Sequence, residues 1–205
     1  MIYYLLFGIT YAFAAVVQPG PFQVFLLDQT LIKGWKRTIP AAFGPLISDL
    51  PVIVITLLLL NTVPHKMISL LQAAGGLFLL YLAAGSFKDW KKNIPVQQAV
   101  SHSGQETLLK AVLVNLLNPN PYIGWSLILG PLLIKGWHIN PINGIVLIAA
   151  FYITLIAGMI ITIIIFGTTG NLSPKINRLL KGLTTIALAC FGLFELWQGL
   201  TAYFG

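Results

Sequence analysis

The sequence predicts an all-α polytopic membrane protein with six transmembrane helices, arranged as two inverted three-helix repeats. Three observations predict this class. Of the 205 residues, 57% are hydrophobic and only 8% are charged, whereas soluble domains carry about 25% charged residues. Six apolar segments are each long enough to cross a bilayer. Two of these segments are interrupted by proline motifs of the same spacing.

We expect a single transmembrane domain over residues 1–205, because a membrane-spanning helix needs about 20 mostly apolar residues. The candidate spans are residues 3–32, 39–60, 67–87, 108–134, 142–166 and 179–204. The stretch 91–106 contains several Asn, Gln and Ser residues and is predicted to be a cytoplasmic linker. It separates a first repeat, 1–90, from a second repeat, 107–205.

The proline motifs are the reason for predicting a duplication. The first span contains Gln-Pro-Gly-Pro at 18–21, and the fourth contains Asn-Pro-Asn-Pro at 118–121. Each motif is followed by an apolar run that ends in the same five residues, Leu-Ile-Lys-Gly-Trp, at 31–35 and 133–137. Duplicated units with interrupted helices are typical of transporters whose site lies between two inverted halves. We therefore predict that helices 1 and 4 are broken at these motifs.

The distribution of basic residues predicts the orientation. Ten of the twelve Lys and Arg residues follow spans one, three and five, and two follow spans two and four. Because basic loops stay in the cytoplasm, both termini are expected on the non-cytoplasmic side. Each repeat has three spans, so the second repeat inserts upside down relative to the first.

The breaks offer hydrogen-bonding groups of both polarities. A proline leaves the carbonyl four residues earlier without its donor, which frees the carbonyls of Ala15, Val17, Asn115 and Leu117. The helix that starts after each break points amide groups and a partial positive charge back at the break. Such a site suits a small zwitterion, such as an amino acid, although ordinary proline kinks are the alternative. The predicted substrate-binding residues are Gln18, Pro19, Gly20, Pro21, Asn115, Asn118, Pro119, Asn120 and Pro121.

Two acidic residues lie inside predicted spans. A carboxylate there has a high free-energy cost, so each is a candidate functional residue. Asp49 is near the middle of span two, and Glu195 is about midway along span six. Both are predicted to take part in proton coupling, and the alternative for each is a structural acid. Asp28 lies near Lys33 towards the end of span one, and we expect it to form a surface ion pair. Small residues such as Gly75, Gly76, Gly85, Gly192 and Gly199 predict close helix contacts.

The composition argues against several other functions. The net charge of +7 lies in short loops without interleaved aromatic residues, so nucleic acid is not an expected partner. Cys190 is the only cysteine, which excludes a disulfide framework and a thiol-pair electron carrier. His65, His102 and His138 are too scattered for a metal site. No cofactor is expected.

Four segments resemble a known family. They are Pro19-Gly20-Pro21, Ile47-Ser48-Asp49-Leu50, residues 75–82 and Val114-Asn115-Leu116-Leu117-Asn118-Pro119. In order and spacing they are similar to the lysine-exporter family of bacterial amino-acid efflux carriers. The resemblance implies an exporter of six spans in the bacterial inner membrane, forming a homodimer and driven by the proton gradient. It implies a transporter rather than an enzyme.

The sequence departs from the family at one informative position. Exporters of basic amino acids carry an acidic residue a few positions after Asn-Pro in span four. Gly124, beside Trp125, stands there in this chain. The resemblance therefore implies a neutral or hydrophobic amino acid, or another small metabolite, rather than lysine or arginine. A channel or a carrier of another metabolite or ion remains an alternative, and an intramembrane enzyme is less favoured because no paired catalytic motif is present.

Overall fold

The computed structural model describes residues 1–18, 20–58, 65–92, 104–169 and 174–204, and every regular element within them is helical. Pro19, most of the predicted linker and His102 lie outside the described residues. The α-helices are α1 (Ile2–Val17), α2 (Pro21–Lys33), α3 (Trp35–Thr38), α4 (Gly44–Leu58), α5 (His65–Lys92), α6 (Gly104–Leu117), α7 (Pro119–Gly124), α8 (Gly130–Ile139), α9 (Pro141–Thr169) and α10 (Pro174–Phe204).

The first span is broken where the first proline motif predicts. Helix α1 ends at Val17, α2 begins at Pro21, and the two helices are bent by 61°. Gln18 and Gly20, which each precede a proline, are both extended, with ψ of 121° and 173°. Proline disfavours the helical conformation in the residue before it, so the helix cannot continue through this motif.

The fourth apolar segment is also broken at its motif. Helix α6 ends at Leu117, Asn118 is extended with ψ of 128°, and α7 begins at Pro119. A π-helical segment, Trp125–Leu129, then joins α7 to α8. Pro131 follows at the start of α8. Its missing backbone donor is tolerated there because the π-helical segment before it already departs from the regular hydrogen bonds of an α-helix.

Four helical stretches are long and apolar enough to cross a membrane by themselves, namely 35–56, 66–91, 141–168 and 175–203. The bent pair α1 and α2 makes a fifth if it counts as one span. The predicted fourth span, 108–134, is divided among α6, α7, the π-helical segment and α8, none of which reaches 18 residues alone. The protein is therefore a multi-pass membrane protein, and its sixth crossing stays a prediction.

Helices from the two halves of the chain pack against each other throughout. Helix α5 packs along α10, α1 along α9, α4 along α6, and α2 between α10 and α9. Buried aromatic and aliphatic side chains fill the centre of this arrangement, including Phe25, Tyr122, Trp125 and Phe151. Large apolar side chains also cover the outer surface, as expected where helices face lipid.

The small residues that predicted close helix contacts are confirmed at the α5–α10 interface, whereas the prediction is wrong for Gly85, where an added Cβ meets no atom within 4 Å. A Cβ added to Gly76 would lie 2.5 Å from the backbone nitrogen of Leu196, and one added to Gly199 would lie 2.5 Å from that of Ala73. Gly75 approaches α6 instead, where a Cβ would lie 2.7 Å from the carbonyl oxygen of Leu117. These glycines let helix backbones touch, which is how membrane helices associate without a hydrophobic driving force.

Candidate functional site

The two helix breaks face a common cavity of about 120 Å³. A single water needs about 10–15 Å³ of such space, so the cavity can hold several waters or a small organic molecule. Both breaks, α4, the π-helical segment and α9 contribute to its wall. The lining residues are Ala15, Gln18, Gly20, Phe22, Gln23, Pro45, Asp49, Asn115, Asn118, Asn120, Pro121, Gly124, Trp125, Leu129, Phe151, Leu155 and Met159.

The structure brings most of the predicted substrate-binding residues together. Six of them line the cavity: Gln18, Gly20, Asn115, Asn118, Asn120 and Pro121. Pro21 instead lines a neighbouring space of about 10 Å³, which it shares with Asn118 and Glu195. Pro119 is buried at the start of α7 and lines neither space. Pro19 lies outside the described residues.

Asp49 is the acidic residue of the cavity wall, with only 3% of its surface exposed. Its carboxylate accepts hydrogen bonds from Asn115 Nδ2 at 2.8 Å, Tyr152 Oη at 3.0 Å and Trp125 Nε1 at 3.5 Å. These donors come from α6, α9 and the π-helical segment, so Asp49 joins four parts of the bundle. All three donors are uncharged, and the carboxylate therefore keeps its capacity to pair with a cation that enters the cavity.

Ser48, the residue before Asp49, orients Asn115, which is one of the donors to the Asp49 carboxylate. Asn115 Nδ2 lies 2.7 Å from Ser48 Oγ as well as 2.8 Å from the Asp49 carboxylate. The Ser48 hydroxyl in turn donates to the carbonyl of Gly44 at 3.0 Å. With both hydrogens of its amide group engaged, Asn115 is held in one orientation against α4. The Ser-Asp pair of span two and the first Asn of span four thus form one hydrogen-bonded unit.

Two of the four carbonyls freed by the prolines, those of Ala15 and Asn115, are occupied by donors of the chain itself, which corrects the prediction from sequence for these two. Gln23 Nε2 donates to the carbonyl of Ala15 at 2.6 Å, and the backbone nitrogen of Asn118 donates to that of Asn115 at 3.2 Å. Tyr122 Oη donates to the neighbouring carbonyl of Leu116 at 3.0 Å. An unpaired backbone group in hydrocarbon costs several kcal/mol, so these hydrogen bonds stabilise the chain at the two breaks.

The two helix starts after the breaks differ. No side chain caps α2, whose first turn contributes Phe22 and Gln23 to the cavity. At the start of α7, Asn118 Oδ1 accepts a hydrogen bond from the backbone nitrogen of Asn120 at 3.0 Å. The prediction that both helix starts point free amides at the break is therefore wrong for Asn120, because the Asn118 side chain already caps it.

Replacing Gln23 with leucine is expected to lower the thermal stability of the protein. The substitution leaves the part-buried carbonyl of Ala15 without its donor, a loss of about 1–3 kcal/mol. The melting temperature in detergent measures this effect. Gln18→Leu is the matched control, because Gln18 lines the same cavity with an exposed side chain. Equal melting temperatures for the two variants would show that the Gln23 hydrogen bond does not hold the break together.

Glu195 lies outside the cavity that contains Asp49. It is 8% exposed, and among the described residues its Oε2 atom has no hydrogen-bond partner. It reaches the breaks only through the small space that it shares with Pro21 and Asn118. The two acids predicted to act in coupling are therefore at separate places.

Asp28 is not a surface residue, and the prediction of a surface ion pair is wrong. Its side chain is fully buried, with 0% exposure, because the helix face that bears it is covered by α5 and α10. It accepts hydrogen bonds from Ser86, Gln29 and Thr184. Lys33 donates instead to Thr107 Oγ1 at 3.2 Å. Sequence position alone did not reveal which neighbours cover this part of α2.

Three site residues escaped the sequence analysis: Gln23, Trp125 as a donor, and Tyr152. The sequence holds a signal for Tyr152, because a hydroxyl in the middle of an apolar span needs a hydrogen-bond partner. Asp49 provides it.

The fold and the cavity define a multi-pass membrane protein whose helices enclose a polar site with one buried acid. The chain belongs to the LysE type translocator family, whose family model matches residues 13–199. Comparison with the curated proteins and with the solved structures gave no significant match. The resemblance seen in the sequence is confirmed, and the protein is a membrane transporter of amino acids or related metabolites.

Proposed function

We propose that this protein exports a small zwitterionic metabolite, an amino acid, across the bacterial inner membrane by proton-coupled alternating access. One observation carries the proposal: the Asp49 carboxylate lies in the wall of the cavity between the two breaks, and its donors in the described part of the chain are all uncharged. A buried carboxylate without a cationic partner attracts the ammonium group of a substrate and can alternatively take up a proton.

Other groups in the cavity wall suit a carboxylate. The uncapped start of α2 carries the partial positive charge of a helix N-terminus. The side chains of Gln18, Asn118 and Asn120 line the same cavity and offer amide groups. An ammonium group at Asp49 and a carboxylate at the start of α2 together describe a zwitterion. The site would then bind both charged ends of an amino acid.

The rest of the cavity favours a neutral substrate side chain. Trp125, Leu129, Phe151, Leu155 and Met159 form an apolar wall. Asp49 is the only acidic residue among the lining residues that the structure describes. Once it pairs with the ammonium group, no second carboxylate remains for a lysine or arginine side chain. We therefore propose a neutral or hydrophobic amino acid as substrate.

We propose two inverted repeats, 1–90 and 107–205, joined by a cytoplasmic linker at 91–106. Two packing relations support this arrangement: the first half-helix α1 packs on α9 of the other repeat, and its counterpart α6 packs on α4. Exchanged contacts of this kind are expected from a twofold relation between the halves. The fourth crossing would consist of α6, α7, the π-helical segment and α8, with both termini outside the cytoplasm.

Proton coupling would follow if a proton and the ammonium group of the substrate compete for the Asp49 carboxylate. On the non-cytoplasmic side, a proton binds the carboxylate and releases the ammonium group of the substrate. On the cytoplasmic side, the proton leaves and the next substrate binds. Glu195, one of whose carboxylate oxygens has no hydrogen-bond partner among the described residues, lies beside the first break and is the second candidate for a coupling acid.

The proposal is tested with purified protein in vesicles of inside-out orientation and acidic interior, using a panel of labelled neutral and basic amino acids. We expect gradient-dependent uptake of one or a few neutral amino acids, and exchange of labelled for unlabelled substrate without a gradient. Failure to move any amino acid would contradict the substrate class. Currents without exchange would contradict the carrier mechanism and indicate a channel.

A further inference from the structure

A second buried polar cluster surrounds Asp28, away from the substrate cavity. The carboxylate of this fully buried residue accepts hydrogen bonds from three helices. Gln29 Nε2 on α2 donates to Oδ2 at 3.1 Å, and Thr184 Oγ1 on α10 donates to Oδ1 at 3.3 Å. The hydroxyl of Ser86 on α5 also donates to Oδ1. The cluster therefore lies where α2, α5 and α10 meet.

The partners of Asp28 can satisfy it in both protonation states. Ser86 Oγ lies 2.7 Å from Thr185 Oγ1, and hydroxyl groups can either donate or accept. Gln29 is only 7% exposed, and its Oε1 has no hydrogen-bond partner among the described residues. Rotating its amide group by half a turn would exchange the donor that faces Asp28 for this acceptor. The charged acid would then receive a hydrogen bond from Gln29, and the neutral acid would donate one to it.

A larger cavity gives access to this cluster. It has a volume of about 400 Å³ and is lined by Gln29 and Ser86, both of which donate to Asp28. Its other ionisable lining residues are Lys33, Tyr81, Lys88, Asp89, Glu106 and Lys110. From α10, Lys181 interacts electrostatically with Asp28 and Asp89. Helix α9, which also packs against α2, carries no charged residue.

We propose that Asp28 is a second proton-exchange site, loaded and released through this cavity, and that it adds one proton to each transport cycle. This inference rests on the proposed proton-coupled export. Helix α2 connects the two sites, because its first turn lines the substrate cavity and Asp28 lies about 10 Å further along it at 1.5 Å per residue. Neutralising Asp28 removes a buried charge from the contact of α2 with α5 and α10, and so biases how α2 packs.

The test compares Asp28→Asn with the wild type in vesicles that hold a fixed pH difference. Each proton moved with the substrate multiplies the limiting accumulation ratio about tenfold per unit of pH, since 1.4 kcal/mol is a factor of ten. We expect the limiting accumulation ratio of Asp28→Asn to be about tenfold lower than that of the wild type for each unit of pH difference. Exchange without a gradient should be retained, because the substrate cavity is unchanged. Asp89→Asn, an acid of the same cavity, is the matched control and should keep the wild-type ratio.

An unchanged ratio in Asp28→Asn would overturn the proposal. So would accumulation driven by a Na⁺ gradient at equal pH that Asp28→Asn abolishes, because the site would then bind sodium. An independent arm of the test treats the wild-type protein with a hydrophobic carbodiimide, which labels protonated buried carboxyl groups. We expect the peptide containing Asp28 to be labelled less as pH rises, and pH-independent or absent labelling would contradict the inference. This arm remains informative even if no amino acid is transported or Asp28→Asn does not fold.

Discussion

Gradient-driven uptake is expected to be lost when Asp49 is replaced with asparagine. The amide has nearly the same shape as the carboxylate but cannot pair with an ammonium group or exchange a proton. Its NH₂ group would also face donors, because Asn115, Trp125 and Tyr152 all point hydrogens at this position. Losing one charge-assisted hydrogen bond of about 1.5–3 kcal/mol weakens binding by about 10- to 150-fold. Substrate binding and vesicle uptake both measure the change.

Tyr152→Phe is the matched variant for this experiment. It leaves the Asp49 carboxylate in place and removes only the donor at 3.0 Å. We expect reduced uptake with gradient dependence retained, a smaller loss than in Asp49→Asn because the carboxylate keeps its charge and its donors Asn115 and Trp125. Wild-type rates in Asp49→Asn would instead assign this acid a structural role, the alternative that the sequence left open. The melting temperature of each variant separates a loss of coupling from a loss of folding.

The second large effect is expected at Gly76, where leucine should prevent stable folding. A Cβ at this position would lie 2.5 Å from the backbone nitrogen of Leu196 and 2.7 Å from the carbonyl oxygen of Gly192. Backbone atoms cannot move aside as a flexible side chain does, so α5 and α10 would have to separate. Overpacking of a filled contact costs about 1–3 kcal/mol or more. The yield of monodisperse protein and its melting temperature measure this loss.

Gly85→Leu controls for the substitution itself. Gly85 lies on the same helix, and a Cβ added there meets no atom within 4 Å. Its variant should retain the yield and melting temperature of the wild type. If both variants fold equally well, the close approach of α5 and α10 at Gly76 is not needed for stability. If both fail, leucine is harmful on α5 regardless of contact.

The positions of the helix breaks were predictable from sequence because proline acts locally. A proline restricts its own backbone and that of the residue before it, so 18–21 and 118–121 interrupt helices whatever packs around them. The contacts of Gly76 and Gly199 were predictable for a similar reason. Small residues are enriched where membrane helices approach closely, although Gly85 on the same helix makes no such contact. Family membership followed from the same local motifs and is confirmed over residues 13–199.

The fate of the freed carbonyls was not predictable in this way. The prolines show that the carbonyl of Ala15 loses its helical donor, but they do not show what replaces it. Gln23 on α2 reaches this carbonyl only because α2 is bent by 61° relative to α1. The same limit applies to Asn118, whose side chain caps the backbone amide of Asn120, a donor that the sequence alone predicts to face the break.

The sequence by itself determined the class of protein, the two broken helices, the family and the presence of acids at 28, 49 and 195, because composition, proline and glycine act through local chemistry. Only the tertiary structure decided what each acid faces. Asp49 meets donors from α6, α9 and the π-helical segment, whereas Asp28 is enclosed by α2, α5 and α10. Partners more than 50 residues apart in the chain are set by how helices pack, and no local pattern encodes them.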